Sequence, residues 1–196
     1  YVLRPRVEHE YTQDEIVELA KCSQNIYSFI KHLQIIHPDR GKITYKPYDY
    51  QIDLLEQIKD NRRMVGLWSR QSGKTTTVGV YCLWYALFND NKIIGIVSNK
   101  ESSAKMILAR IKRMYESIPP FLKPGVTSYA KTSVEFDNGT KILVSATSPD
   151  AFRGETINFL LCLGGKNTLK LRNKETGEIC EMSIEDLYNN LEKTNE

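Results

Sequence analysis

The residues best suited to chemistry lie in one run, Ser69-Arg70-Gln71-Ser72-Gly73-Lys74-Thr75-Thr76. A flexible glycine followed by lysine and threonine lets successive backbone N–H groups close around a polyphosphate; the lysine ammonium reaches the terminal phosphates and the threonine hydroxyl holds magnesium. ATP with Mg2+ is the expected ligand, bound by Ser69, Gln71, Ser72, Gly73, Lys74, Thr75 and Thr76, with Thr75 on the metal. The usual pattern has a glycine five residues before Gly73; Trp68 stands there, so the loop is a variant. Arg70 in the loop and Arg153 further on are candidates, with Lys74, for stabilising charge on a phosphoryl group in transfer. For Arg153 the plainer role, a surface arginine holding its own loop, has equal weight. Tyr50-Gln51, about twenty residues ahead of the loop, offers a ring to stack on adenine and an amide to bond its edge; the plainer role, a core tyrosine beside an exposed amide, has equal weight.

Such a loop works only between a strand and a helix, so its neighbours must supply both. The apolar run 64–68 is the expected strand and 75–88 the expected helix. Thr12 with Glu15 makes a capping box, followed by a helix-like apolar period as far as His37-Pro38 that is broken by polar residues at 22–25. Residues 51–60 form an amphipathic helix with Ile52, Leu54, Leu55 and Ile58 on its apolar side. Residues 92–98 read as a buried parallel strand. Residues 101–117 read as a helix stopped by Pro119-Pro120. Its apolar face is Ala104, Ile107, Leu108, Ile111 and Met114, opposite a solvated face with Lys105, Arg110, Lys112 and Arg113. Residues 133–136 and 141–145 flank Asp137-Asn138-Gly139-Thr140, a hairpin signal in which Asn-Gly suits the tight turn that strand twist demands. Residues 157–161 make a last apolar strand.

Net charge is +3, with 41% hydrophobic and 26% charged residues, the balance of a water-soluble domain with enough apolar side chains for a core. No global basic field advertises nucleic acid, so any such contact is local. The four cysteines, Cys22, Cys82, Cys162 and Cys180, are widely spaced and the histidines number three. That spacing suggests neither a zinc site nor a disulfide framework, and His32 and His37 are not placed as a metal pair. No apolar run reaches the ~20 residues of a membrane span. The chain starts at Tyr1, which suggests a fragment.

The loop with Arg70-Gln71 resembles that of the large terminase subunits of tailed double-stranded-DNA bacteriophages. Tyr48-Asp49-Tyr50-Gln51, Asp137-Asn138-Gly139 and Ser148-Pro149-Asp150-Ala151-Phe152-Arg153-Gly154 match the same family in the same order, over residues 12–161. The resemblance implies an ATPase that drives viral DNA into a capsid as a homo-oligomeric ring in the cytoplasm of the infected host. Double-stranded DNA, the portal and the small terminase subunit would be its partners. It also implies that Gln51 recognises adenine, that Lys74 and Thr75 handle phosphate and magnesium, and that Arg70 or Arg153 is the arginine trigger. The family's catalytic Asp-Glu should follow the strand 157–161; Cys162-Leu163-Gly164-Gly165 stands there instead.

The last 35 residues differ in character, with five basic against seven acidic residues. Cys162, a Gly164-Gly165 turn, a strand over 167–172 containing Thr168, a turn at Gly177, a strand over 178–182 and a helix from Ser183 resemble the first segment of an intein. That family more often has Asp where this chain has Asn167. The resemblance implies that the Cys162 thiol attacks the Leu161 carbonyl to give a thioester, with Cys180 a structural residue. It also implies that a complementary polypeptide supplies the remaining splicing residues and the Asp-Glu segment, so the chain is one half of a trans-splicing precursor. The rival for Cys162 is a buried strand-end cysteine in a truncated gene.

The expected fold is α/β: a three-layer P-loop sandwich with helices on both sheet faces, cut before Asp-Glu, plus a short β-rich extension. The expected divisions are a helical lead-in over 1–40, an incomplete ATPase domain over 41–161 and a split-intein fragment over 162–196. Two other functions fit the same residues, a helicase-like nucleic-acid-dependent ATPase and a non-enzymatic remnant.

Overall fold

A computed structural model describes residues 1–37, 39–66, 68, 72–148, 151–163, 168–172 and 179–183, with backbone alone for 163 and the last two segments. Helix α1, Gln13–Gln24, begins as its capping box predicts: Thr12 N–H donates to Glu15 Oε2 at 2.9 Å and Glu15 N–H to Thr12 Oγ1 at 3.3 Å. The helical period does not run on to His37. Asn25 leaves helical geometry and caps a short second helix, α2, Ile26–Ile30, its Oδ1 accepting from Tyr27 N–H at 2.8 Å. Gln34–His37 is instead strand β1, antiparallel to β2, Gly41–Thr44. Ile35 and Ile36 are β-branched and suit a strand, while Gly41 supplies the positive φ of 68° that a return turn needs. The lead-in therefore closes with a hairpin that crosses residue 40.

Helix α3, Asp49–Asp60, buries Leu54 and Leu55, and α4, Lys74–Phe88, buries the whole stretch 77–83. Strand β3, Ile93–Ser98, leads to α5, Glu101–Ser117, whose buried set contains all five residues that the periodicity selected, with Tyr115 in addition. Of its basic residues, Lys105 pairs with Glu101 at 2.7 Å and Lys112 lies 4.1 Å from the Tyr129 ring centroid. The strands β4 (Val126–Tyr129), β5 (Ser133–Phe136), β6 (Lys141–Ala146) and β7 (Phe159–Leu163) join β3 in a sheet of order β4-β5-β6-β3-β7. β3 runs parallel to β6 and β7, while β4, β5 and β6 are antiparallel, so the sheet is mixed.

Register shows which face is covered. Ile94 pairs with Ile142 and Phe159, and on that face Tyr115 of α5 meets Phe136 while Tyr81 of α4 meets Phe159, both at 5.4 Å between ring centroids. Both helices thus pack on one face. The expectation of helices on both faces is not met among the described residues: opposite them, Gly95 is overlaid by Phe152, and Leu160 is 53% exposed. An apolar edge strand has this one-sided cover when nothing packs on its second face.

The 133–146 hairpin forms where expected, with Val134 opposite Ile142. Its turn is of another class. Gly139 alone has a positive φ, 77°, and its N–H donates to Phe136 O, while Phe136 N–H donates to Thr140 O. A two-residue turn would need Asn138 in the left-handed region as well; this is the three-residue loop with glycine in that position. Beyond it, β8 (Thr168–Arg172) and β9 (Ile179–Ser183) form an antiparallel ribbon at the two strands expected there. The expected turns at Gly164-Gly165 and Gly177 and the helix after Ser183 lie outside the described residues. Among the described residues no helix is long and apolar enough to cross a membrane.

Candidate nucleotide site

Helix α4 starts at Lys74, and its N-cap is Gly73 in the left-handed region, φ 77°. Glycine is the residue that takes this conformation without a steric cost. It brings no side chain to cap the helix, so the N–H groups of the first turn, at Lys74, Thr75 and Thr76, form an electropositive end. Lys74 Nζ donates to Trp68 O at 3.3 Å, folding the lysine back over the loop. Lys74, Thr75 and Thr76 are each half-buried.

The expected strand at 64–68 is not formed: Met64, Val65, Gly66 and Trp68 belong to no strand. A parallel strand needs a neighbour to accept its backbone donors. β7 stands at the edge of the sheet, and none of the described strands pairs with this segment.

Gln51 is 4% exposed and joins α3 to the loop. Its Nε2 donates to Ser72 O at 3.0 Å, and its Oε1 accepts from Tyr48 N–H at 3.2 Å and from Tyr45 OH at 3.3 Å. Tyr50 OH also donates to Ser72 O, at 3.2 Å. Tyr50 stacks on Tyr48 at 5.6 Å and 13° and meets Trp68 edge-on at 5.4 Å. Tyr48, Tyr50 and Trp68 thus make an aromatic cluster beside the loop. The variant residue Trp68 is part of it.

Sequence reasoning missed Tyr45 and Thr77. The Tyr45 hydroxyl lies 2.8 Å from Thr77 Oγ1, and Thr77 bonds Gly73 O through its N–H at 3.0 Å and its hydroxyl at 3.2 Å. Thr77 is fully buried, and burial pushes the Tyr45 phenol up to about 12. Both residues fix the carbonyl of the glycine that sets the loop. The available signal was a threonine four residues after Gly73, one helical turn, facing the same side.

Ser69, Arg70 and Gln71 lie outside the described residues. Arg153 is exposed, in a turn where Phe152 has φ 60° and Gly154 φ 86°. Phe152 holds a conformation uncommon for a bulky residue and presses on Gly95, where an added Cβ would come within 2.7 Å of its ring. That contact fixes the turn carrying Arg153 against β3. Cys162 is exposed and lies inside β7, opposite Val97, so the Leu161–Cys162 bond is in a paired strand and not after it. Partial desolvation of its sulfur pushes the thiol up from the ordinary cysteine value.

Residues 65–162, half of the chain, match a family model described as "Terminase large subunit, T4likevirus-type, N-terminal". The match spans the Gly73-Lys74-Thr75 loop, β3, the hairpin and the Arg153 turn, and it ends at Cys162. Tyr50 and Gln51 precede it.

Proposed function

The chain belongs to the T4-like-virus-type terminase large subunit family through its N-terminal domain, and from that premise we propose that it is the N-terminal precursor fragment of a viral DNA-packaging ATPase. The observation that carries this is the glycine-capped start of α4. Gly73 leaves the first-turn N–H groups without a side-chain cap, beside Lys74 and Thr75. That donor set fits a nucleotide triphosphate with Mg2+.

Backbone N–H groups of the loop hold the phosphates, and Lys74 turns from Trp68 O toward the terminal phosphoryl group. The Thr75 hydroxyl holds magnesium, whose chemistry is to offset charge building on the phosphate oxygens. Tyr50 supplies a stacking face for the base, and Gln51 exchanges one of its loop contacts for the base edge. Arg70 or Arg153 stabilises the phosphoryl group in transfer. DNA, the portal and the small terminase subunit are the partners of the assembled ring, in the cytoplasm of the infected cell.

We also propose that the chain is joined in trans to its C-terminal part at Leu161/Cys162, with residues 162–196 acting as a split-intein fragment. The composition change, the end of the family match at Cys162, the β8–β9 ribbon and the exposed thiol support it. The Cys162 sulfur forms a bond to the Leu161 carbonyl carbon as the peptide C–N bond breaks. The thiol proton ends on the freed amine. The thiol or hydroxyl of the partner's first tail residue takes the acyl group as the Cys162 thiol leaves. The Asn that ends the partner's intein segment then cyclises onto its own carbonyl, which cuts the segment from the tail and frees the tail's amine, and the acyl group shifts to that amine as a peptide bond. Because β7 already runs through the junction, the joined chain would continue that strand into the Asp-Glu segment.

Binding of a fluorescent ATP analogue to the chain and to Lys74→Ala tests the nucleotide site, with loss of at least tenfold in affinity expected. Equal affinity for both would remove the assignment. For splicing, the chain is mixed with a partner bearing the complementary intein segment and Asp-Glu. The intact mass should shift to residues 1–161 joined to the partner's tail, and Cys162→Ala should show no shift.

A further inference from the structure

Apart from the nucleotide loop, the fold gathers three metal-ligating side chains that the sequence spaces apart. Glu18 and Cys22 stand one turn apart on the same face of α1. The break at Asn25 folds the chain back, so that His32, just after α2, meets them. His32 Nε2 is 2.9 Å from Glu18 Oε1. One ligand atom from each residue, a carboxylate oxygen, a thiol sulfur and an imidazole nitrogen, lies within 4.8 Å of the other two.

Cys22 is fully buried, whereas the Glu18 and His32 side chains keep 31% and 25% of their surface. The cluster therefore has a closed floor, the sulfur, and a mouth open to water. We propose that Glu18, Cys22 and His32 form a binding site for one thiophilic divalent cation of the zinc class, with water in the fourth position. Sulfur and imidazole donors favour zinc-like ions over Mg2+ or Ca2+, and three protein ligands with one open position is an established coordination pattern for zinc. With carboxylate and thiolate both ionised, the dication brings the cluster to neutrality, which suits a half-buried place.

The surroundings hold the ligands in position. Trp84 Nε1–H on α4 donates to Cys22 O at 2.8 Å. The Phe121 ring meets His32 edge-on at 5.8 Å and 86°. Bound metal would thus clamp α1 to α2 where both lie against the helix that follows the nucleotide loop. On binding, metal–S, metal–N and metal–O bonds form and the hydrogen bond between His32 and Glu18 breaks. An ionised carboxylate only accepts, so Nε2 carries the proton in that bond; the imidazole proton moves to Nδ1 and the Cys22 thiol proton leaves to solvent.

The test is Co2+, a coloured substitute for zinc, titrated into the chelator-stripped full chain. A thiolate-to-cobalt charge-transfer band should saturate at one equivalent, be displaced by Zn2+, and release one proton in weak buffer. The band should vanish in Cys22→Ser and the affinity fall about tenfold or more in the half-exposed variant His32→Gln, while Cys162→Ser leaves both intact. The proposal is overturned by absence of the band in the folded wild-type chain, by a band unchanged in His32→Gln, or by one lost in Cys162→Ser.

Discussion

The Gln51 side-chain amide donates to the Ser72 carbonyl at 3.0 Å, tying the first turn of α3 to the residue just before the glycine that starts α4. The same amide fills the space where a Gly73 side chain would begin, since a Cβ there would lie 2.4 Å from Gln51 Nε2. Gln51 and Gly73 are thus one fitted pair across the loop. Whatever displaces Gln51 also loosens the loop at Ser72 and Gly73, so under the proposed function contact with the base would be joined to contact with the phosphates.

Gln51→Ala removes the donor to Ser72 and the acceptor for Tyr48 N–H and Tyr45 OH. Buried partners left unsatisfied cost about 1–3 kcal/mol. For a chain of this size that lowers Tm by about 2–4 °C per kcal/mol, which a thermal melt will read. Affinity for an ATP analogue should fall as well. An unchanged melt would mean that the loop does not depend on this brace.

Gly73→Ala and Gly139→Ala separate the two effects. Both glycines have φ 77°, and an added Cβ would come within 2.4 Å of Gln51 Nε2 in one and 2.2 Å of Asn91 Oδ1 in the other. Left-handed backbone costs a non-glycine residue about 1–2 kcal/mol, so chemical denaturation should show both variants destabilised. Nucleotide affinity should fall in Gly73→Ala alone. A parallel loss in Gly139→Ala would place the binding defect in general stability.

What the sequence made legible follows from the range of the interactions. The bounds of α5 and its buried face came from an uninterrupted 3.6-residue period ended by two prolines, both local facts. The start of α1 came from Thr12 and Glu15, three residues apart. The segment 64–68 has the composition of a strand, but a strand exists only with a neighbour to bond, and composition does not record the neighbour. The apolar period that runs from Ile16 to Leu33 extends by its spacing to His37, but residues 34–37 pair with 41–44 as a strand, and no local period records that pairing. At the proposed nucleotide site the sequence pointed to Gly73, Lys74 and Gln51, and the fold brings Gln51 against the residues before Lys74. The Tyr45–Thr77–Gly73 chain of hydrogen bonds spans 32 residues and is visible only in the fold.

Stability should decline in alkali, beginning near pH 9. Burial pushes Cys22 up to about 11 and Cys82, Tyr45 and Tyr115 up to about 12, against 9.0 for an ordinary thiol and 10.0 for a phenol. Above those ordinary values the unfolded chain has released protons that the folded chain retains. The unfolded state then binds fewer protons and stability falls with pH, by up to about 1.4 kcal/mol per pH unit for each group. Denaturant melts from pH 7 to 11 should be level at first and then fall. Cys82→Ala should flatten the portion between pH 9 and 10, where thiols titrate ahead of tyrosines. A slope already present between pH 7 and 8 would assign the effect to other groups.

Cys162 should be the thiol within reach of solvent chemistry among the described cysteines, because Cys22 and Cys82 are buried and Cys162 is exposed on β7. In a Cys180→Ser background, an alkylating reagent should label one site quickly under native conditions, and Cys162→Ala should abolish that label. Partial desolvation lifts the Cys162 thiol above its ordinary value, so at neutral pH less thiolate is present than on a free cysteine. Labelling should accordingly be slower than for a model thiol at pH 7 and keep rising with pH after the model thiol has levelled off. The proposed thioester step needs the same thiolate. A complementary intein segment that lowers the thiol's pKa would speed labelling in a mixture blocked from splicing by a mutation on the partner's side. A partner that binds without changing the labelling rate would overturn activation of Cys162 by docking.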